Sequence, residues 1–197
     1  MNISILLPYK ENYSKSYAGA VSIFVNDTNK FSKYKKKILV YGFTNEKKKL
    51  SNYKNISIKK NIFSSTSSQY INNFLKTIDN KKIDILEIHN RPHYIKYLKK
   101  IKKCKIIFFF HNDPLKMQGS STTSQRLELL KNLDKIVFNS NWSKSRFLID
   151  LPQNIESNKI VVIHQSTSRT KINFSKKEKL ISFVGKLNVS KGYDIFG

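Results

Sequence analysis

Apolar residues in this chain fall in short runs separated by amphipathic stretches, and the two alternate almost from end to end. Runs bounded by turn signals predict strands at Ile3 to Pro8, Ile38 to Phe43, Asp84 to Ile88, Lys105 to Phe110, Lys135 to Phe138 and Ile160 to Ile163, with a weak one at Ile56 to Ile58. Between them the spacing turns helical. Ala18 to about Phe31 reads as one helix, and Tyr70, Ile71, Phe74, Leu75 and Ile78 recur on one face of another. Tyr94, Tyr97, Leu98 and Ile101 make a further stripe, followed by helices around Gln125 to Leu133 and Trp142 to about Ile149. Strands joined by helical crossovers predict an α/β fold, a doubly wound, Rossmann-like parallel sheet. Lys105 to Phe110 is apolar enough to be a central strand buried on both faces. The pattern lapses after Ile163, so residues 166–178 read as a connector behind a domain spanning residues 1–165. In residues 179–197 an apolar run containing Gly185 leads through Lys186 and Lys191-Gly192 toward a helix, a phosphate-friendly strand-turn-helix. A one-turn helix buries little, so the sequence is expected to be cut at the start of a second domain.

Composition narrows the class. With 197 residues, 39% hydrophobic and 12% aromatic, the chain can hold a real core and is too apolar for a disordered tail. Cys104 is the only cysteine, which excludes an internal disulfide and fits a reducing cytosol. The apolar start is too short for a signal peptide, and Ile106 to Phe110 falls far short of a membrane span. The expectation is a soluble, cytoplasmic protein, with a peripheral position at the inner membrane face left open. The net charge of +24 invites a polyanionic partner. Of the 37 basic residues, however, 33 are Lys and four are Arg, although Arg is the better bidentate reader of phosphates and bases. Twenty Asn beside many Ile and Tyr point instead to an A+T-rich coding sequence. No helix-turn-helix, zinc-finger or RNP pattern is present, so no specific nucleic acid is expected as a partner.

In open parallel sheets ligands bind beyond the carboxyl ends of the strands. Three of the four histidines follow predicted strands there: His89 after Ile88, His111 after Phe110 and His164 after Ile163, with Asn90, Arg91, Asn112 and Asp113 as polar neighbours. His, Asn and Asp also favour loop starts and helix caps for purely structural reasons. His111 stands out because its strand looks central. The histidines and the single cysteine have no zinc spacing, and no Ser-His-Asp set can be argued, so neither metal nor cofactor is expected. The loop from Tyr9 to Gly19 delivers Ala18-Gly19-Ala20 to a helix start, where small residues let a ligand approach the backbone and the helix end favours anions. It is neither a P-loop nor a GxGxxG fingerprint.

The order of these motifs resembles a known family. A first strand ending in Pro8, a small-residue loop into a long helix, a strand ending in His111, and Phe138-Asn139-Ser140-Asn141-Trp142-Ser143 before a helix look like the amino-terminal domain of family 4, GT-B-fold glycosyltransferases. Phe183-Val184-Gly185-Lys186-Leu187 with Lys191-Gly192 resembles the opening of that family's donor-binding domain. The resemblance implies one half of a GT-B fold. It also implies hexosyl transfer from a nucleotide diphosphate sugar to a glycan or lipid-linked acceptor in cell-envelope glycan synthesis, the donor being a substrate and not a cofactor. It carries a catalytic position to His111, donor-phosphate positions to Gly19, Lys186 and Lys191, and cleft-lining positions to His89, Asn112, Asp113 and Ser140. A fragment without most of its donor domain would be inactive alone. The alternative is a non-enzymatic basic module that binds an anionic polymer or a membrane surface.

Overall fold

Side chains rich in β-branched and aromatic groups fit a pleated, buried surface, and seven such segments pair here into one parallel sheet. They are β1 (Ile3–Leu6), β2 (Ile38–Gly42), β3 (Tyr53–Asn55), β4 (Ile85–His89), β5 (Lys105–Phe110), β6 (Lys135–Phe138) and β7 (Ile160–Val162), in the order β3-β2-β1-β4-β5-β6-β7. The helices are α1 (Ala20–Phe31), α2 (Thr66–Ile78), α3 (Ile95–Leu98), α4 (Thr123–Asn132), α5 (Asn141–Leu148) and α6 (Tyr193–Phe196). The structure, a computed structural model, describes residues 1–58, 64–78, 82–98, 101, 104–155, 157–166, 179, 181–183, 189 and 192–196.

The chain divides into two units, Met1–Thr167 and Ser168–Gly197. The first contains the whole sheet. In the second, Gly192 takes a left-handed φ of 72° and its N–H donates to the Val189 carbonyl (2.9 Å) just before α6. Of the apolar run expected at the start of residues 179–197, Lys179, Ile181, Ser182 and Phe183 are described and belong to no strand, while Leu180, Val184, Gly185 and the lysines at 186 and 191 lie outside the described residues.

Right-handed crossovers decide which face each helix covers. The step from β1 to β2 runs one way along the sheet and those from β3 through β7 run the other, so the helices divide between the faces. Val21 and Val25 of α1 pack with Ile3, Ile5, Leu7, Ile38 and Val40. On the other face α2 to α5 bury Phe74, Leu98, Leu129 and Phe147 against Ile88, Phe108, Phe110 and Phe138. Phe110 and Phe138 stack in parallel at 5.3 Å between adjacent strands, and Phe147 tilts across both. Each such fully buried ring contributes about 1.5–3 kcal/mol.

Two expectations need correction. β5 is interior but is not buried on both faces: Ile106, Phe108 and Phe110 are buried, whereas Ile107 and Phe109 are only half-buried. They project from the face whose described core is built by α1 over β1 and β2. The weak strand expected at Ile56 to Ile58 lies at Tyr53–Asn55 instead. Its partner β2 ends at Gly42, opposite Asn55, so the ladder stops there; the Ile56 N–H still reaches the Gly42 carbonyl (2.7 Å) while its side chain enters the core.

Candidate active site at the carboxyl ends of β4 and β5

The strand order reverses between β1 and β4, and ligands in such sheets bind beside that switch point. β4 and β5 pair with His89 opposite Phe109, which sets His89, Phe109 and His111 together on the α1 face of the sheet. The His89 ring stacks on Phe109 (4.6 Å between centroids), His111 lies over His89 (5.2 Å), and Phe24 of α1 meets His111 edge-on (5.1 Å).

The His111 backbone is clamped from both sides. Its N–H donates to Asn90 Oδ1 (3.0 Å), and its carbonyl accepts from Asn139 Nδ2 (3.1 Å). Asn139 is oriented in turn by the Ser143 hydroxyl, which donates to its Oδ1 (3.0 Å). Asn90 holds a left-handed φ of 52°, a region that Asn tolerates better than most residues, and that turn keeps its side chain beside β5.

Hydrogen bonding assigns the ring tautomers. The Gln165 side-chain amide donates to His111 Nδ1 (2.8 Å), so that nitrogen accepts and the proton sits on Nε2. His111 Nε2 then donates to His89 Nδ1 (2.9 Å), which leaves the His89 proton on Nε2, facing the Glu87 carboxylate at 3.7 Å. The result is one polarised chain from Gln165 through His111 to His89, whose buried Nε2 makes no hydrogen bond among the described residues. Burial, reinforced by the neighbouring His89, pushes the His111 pKa down from 6.5 to about 3. His111 is therefore neutral at physiological pH, with one accepting nitrogen held at the mouth of the site.

Several expected site residues have other roles. His89 does not line the cleft; at 1% exposure it lies beneath His111, because its ring points into the sheet face and not past the strand end. Ser140 does not face the cleft either. It caps α5, its hydroxyl accepting from the Ser143 N–H (3.1 Å). Asp113 lines the cleft with Asn112, and its carboxylate is held by Arg146 Nη2 (3.1 Å) and Nε (3.3 Å) and by the Leu115 N–H (3.1 Å). Desolvation raises its pKa, but those donors outweigh it and keep the carboxyl below its ordinary value.

Gly19 stands at the N-cap of α1 without a side-chain cap of its own. The Glu11 carboxylate supplies one by accepting from the Ser22 N–H (3.1 Å), and it fills the space a Cβ on Gly19 would need. The helix end expected to attract anions thus already holds a carboxylate. His164 is exposed, and the neighbour that bonds His111 is Gln165. Gln165, Phe24 and Glu11 were missed by sequence reasoning, while Asn90 and Asn139 entered it only as a polar neighbour of His89 and as part of the Phe138–Ser143 motif. Only the polar residues immediately after strand ends gave a signal for them, and Glu11 and Phe24 gave none.

Among the described residues no group of three or more His, Cys, Asp and Glu side chains is arranged to hold a metal ion. The sheet and its helices form a Rossmann-like α/β fold of the kind that makes one half of a GT-B glycosyltransferase. Among solved structures the chain is similar to the sucrose-phosphate synthase of Thermosynechococcus elongatus, with 10% sequence identity and a TM-score of 0.59. The match covers 85% of this chain and 49% of that one, so the chain spans about half the length of the protein it resembles. No protein-family profile and no curated protein matches the sequence.

Proposed function

We propose that this chain forms the acceptor side of a family 4, GT-B glycosyltransferase that moves a hexose from a nucleotide diphosphate sugar to a glycan or lipid-linked acceptor at the cytoplasmic face of the envelope. The observation that carries the reading is the neutral, doubly hydrogen-bonded His111 at the carboxyl edge of the sheet, next to the switch point. An acceptor hydroxyl takes the place of the Gln165 amide and donates to His111 Nδ1, while His89 holds the ring in register. A ring with a pKa of about 3 takes no proton from a hydroxyl at neutral pH, so His111 orients the acceptor and is not its general base. Such a transfer requires no nucleophilic side chain when configuration is retained on one face. The donor diphosphate approaches Gly19 and displaces the Glu11 carboxylate, since both anions compete for the Ser22 N–H. Lys186 and Lys191 neutralise the charge that develops as the nucleotide leaves. The reading gives no role to a metal.

The test is transfer of radiolabelled sugar from UDP-glucose, GDP-mannose and related donors to extracted glycan and lipid-linked acceptors, with the protein as the cell makes it. Incorporation is expected, and His111→Ala should lower it about 100-fold through lost positioning. No transfer from any nucleotide sugar, or full activity in His111→Ala, would overturn the reading.

A further inference from the structure

Beside His111, Arg91, His93, Asn112, Asp113, Lys116 and Gln118 line a cleft of about 440 Å³ between the loops that follow β4 and β5. The cleft is built, not incidental. Asn90 and Arg91 are consecutive non-glycine residues with left-handed φ of 52° and 63°, a conformation that is unfavourable for Arg and persists only where its surroundings enforce it. The opposing loop turns at Gly119 with φ 93°, so close to the first that a Cβ there would lie 2.8 Å from His93 Cα and 2.9 Å from the Pro92 carbonyl carbon. The two turns are therefore locked against each other.

The charges in this cleft do not cancel. Its one carboxylate, Asp113, is engaged by Arg146. Arg91 and Lys116 are exposed, and among the described residues neither has an ion-pair partner. Burial holds the His93 pKa below its ordinary value, against a hydrogen bond with the Gln118 backbone, so at neutral pH it adds no third charge. Arg91 is also unusual for this chain, where 33 of 37 basic residues are Lys. Of the described arginines, Arg126 is buried against backbone carbonyls and Arg146 is paired, which leaves Arg91 as the exposed guanidinium with no ion-pair partner among the described residues.

We propose that this cleft binds a phosphate group carried by the acceptor, with Arg91 gripping it bidentately and Lys116 adding a second positive charge. A phosphate monoester or diphosphate matches two uncompensated cations, whereas a carboxylate balances only one. Asn112 and Gln118 supply amides to the adjoining sugar. The phosphate belongs either to a lipid diphosphate that carries the acceptor sugar or to a soluble phosphorylated glycan. The word acceptor rests on the transferase reading; the phosphate site itself does not.

Calorimetric titration of the chain compares glucose 1-phosphate, glucose, glucuronate and farnesyl diphosphate in detergent micelles. Glucose 1-phosphate and farnesyl diphosphate should both bind more tightly than glucose or glucuronate. Stronger binding of farnesyl diphosphate points to the lipid source, and stronger binding of glucose 1-phosphate to the soluble one. Arg91→Asn keeps the left-handed turn and should weaken phosphate binding about tenfold or more, the scale of a lost charged hydrogen bond. Lys116→Gln should act in the same direction and carries the test if Arg91→Asn melts early. Lys36→Gln, at the far edge of the sheet, should change affinity by less than about twofold, as a screened distant charge does. The proposal fails if glucuronate binds as well as glucose 1-phosphate, if neither cleft variant weakens binding, or if Lys36→Gln weakens it as much. Phosphate binding without sugar transfer would sink only the transferase reading, and transfer without phosphate binding only this site.

Discussion

His111 is a weak base because of where it sits, and this makes its protonation a measure of folding. Its pKa is about 3 in the folded chain against 6.5 for an ordinary histidine. Between those values the unfolded state binds a proton that the folded state refuses, so the stabilising contribution is complete above pH 6.5 and is lost as pH falls toward 3. A full one-proton difference corresponds to a slope of about 1.4 kcal/mol per pH unit, an upper bound for a ring that is still partly solvated. Unfolding free energies from urea titrations between pH 7 and pH 4 should fall more steeply for the natural protein than for His111→Asn, which cannot titrate. Parallel profiles for the two would mean that the ring protonates freely in the folded state.

At the scale of elements, the loops carry the strain and the helices are well anchored. Thr122 and Gln125 form a reciprocal capping box at the start of α4. Arg126, 2% exposed, ties that helix to the end of α5 by donating to the Ser121 carbonyl (3.2 Å) and the Ile149 carbonyl (2.6 Å). Gly119 is where the β5 loop closes on the β4 loop. Gly119→Ala would force a side chain into both an unfavourable φ of 93° and the His93 backbone, at a cost of about 2–4 kcal/mol. The urea midpoint should drop accordingly. An unchanged midpoint would show that the two loops separate without cost, and the cleft between them would lose its physical basis.

For the whole molecule, 37 basic residues against 13 acidic ones leave a net charge of +24, and part of it gathers at one end of the sheet. Lys35, Lys36 and Lys37 precede β2, while Lys105 and Lys135 open β5 and β6, all exposed on the edge opposite the cleft. Like charges at that density repel, and salt screens them over a Debye length that falls from about 30 Å at 10 mM to about 10 Å at 100 mM. The melting temperature should therefore rise as sodium chloride increases over that range, and a fall would mean that attractive ion pairs dominate the surface. No helix among the described residues is long and apolar enough to cross a membrane.

Much of the architecture was legible along the chain because burial on one face leaves a local, periodic trace. Lys105–Phe110 and Lys135–Phe138 are strands with the bounds that their apolar runs predicted, and the five main helices lie where the spacing turned helical. β3 was misplaced because a three-residue edge strand is defined by its partner; Tyr53 earns its position by pairing with Val40 and stacking on Tyr13 (5.3 Å), not by alternation. The sequence also marked the ends of β4 and β5 as chemically interesting. It could not reveal that His89 lies under His111, that Gln165, 54 residues away, completes the chain, or that Glu11 occupies the α1 terminus. Periodicity records which face of an element is buried. Strand order, register and the directions of side-chain hydrogen bonds arise only when distant segments meet, and those decided which histidine is a support and which one bonds Gln165 at the strand ends.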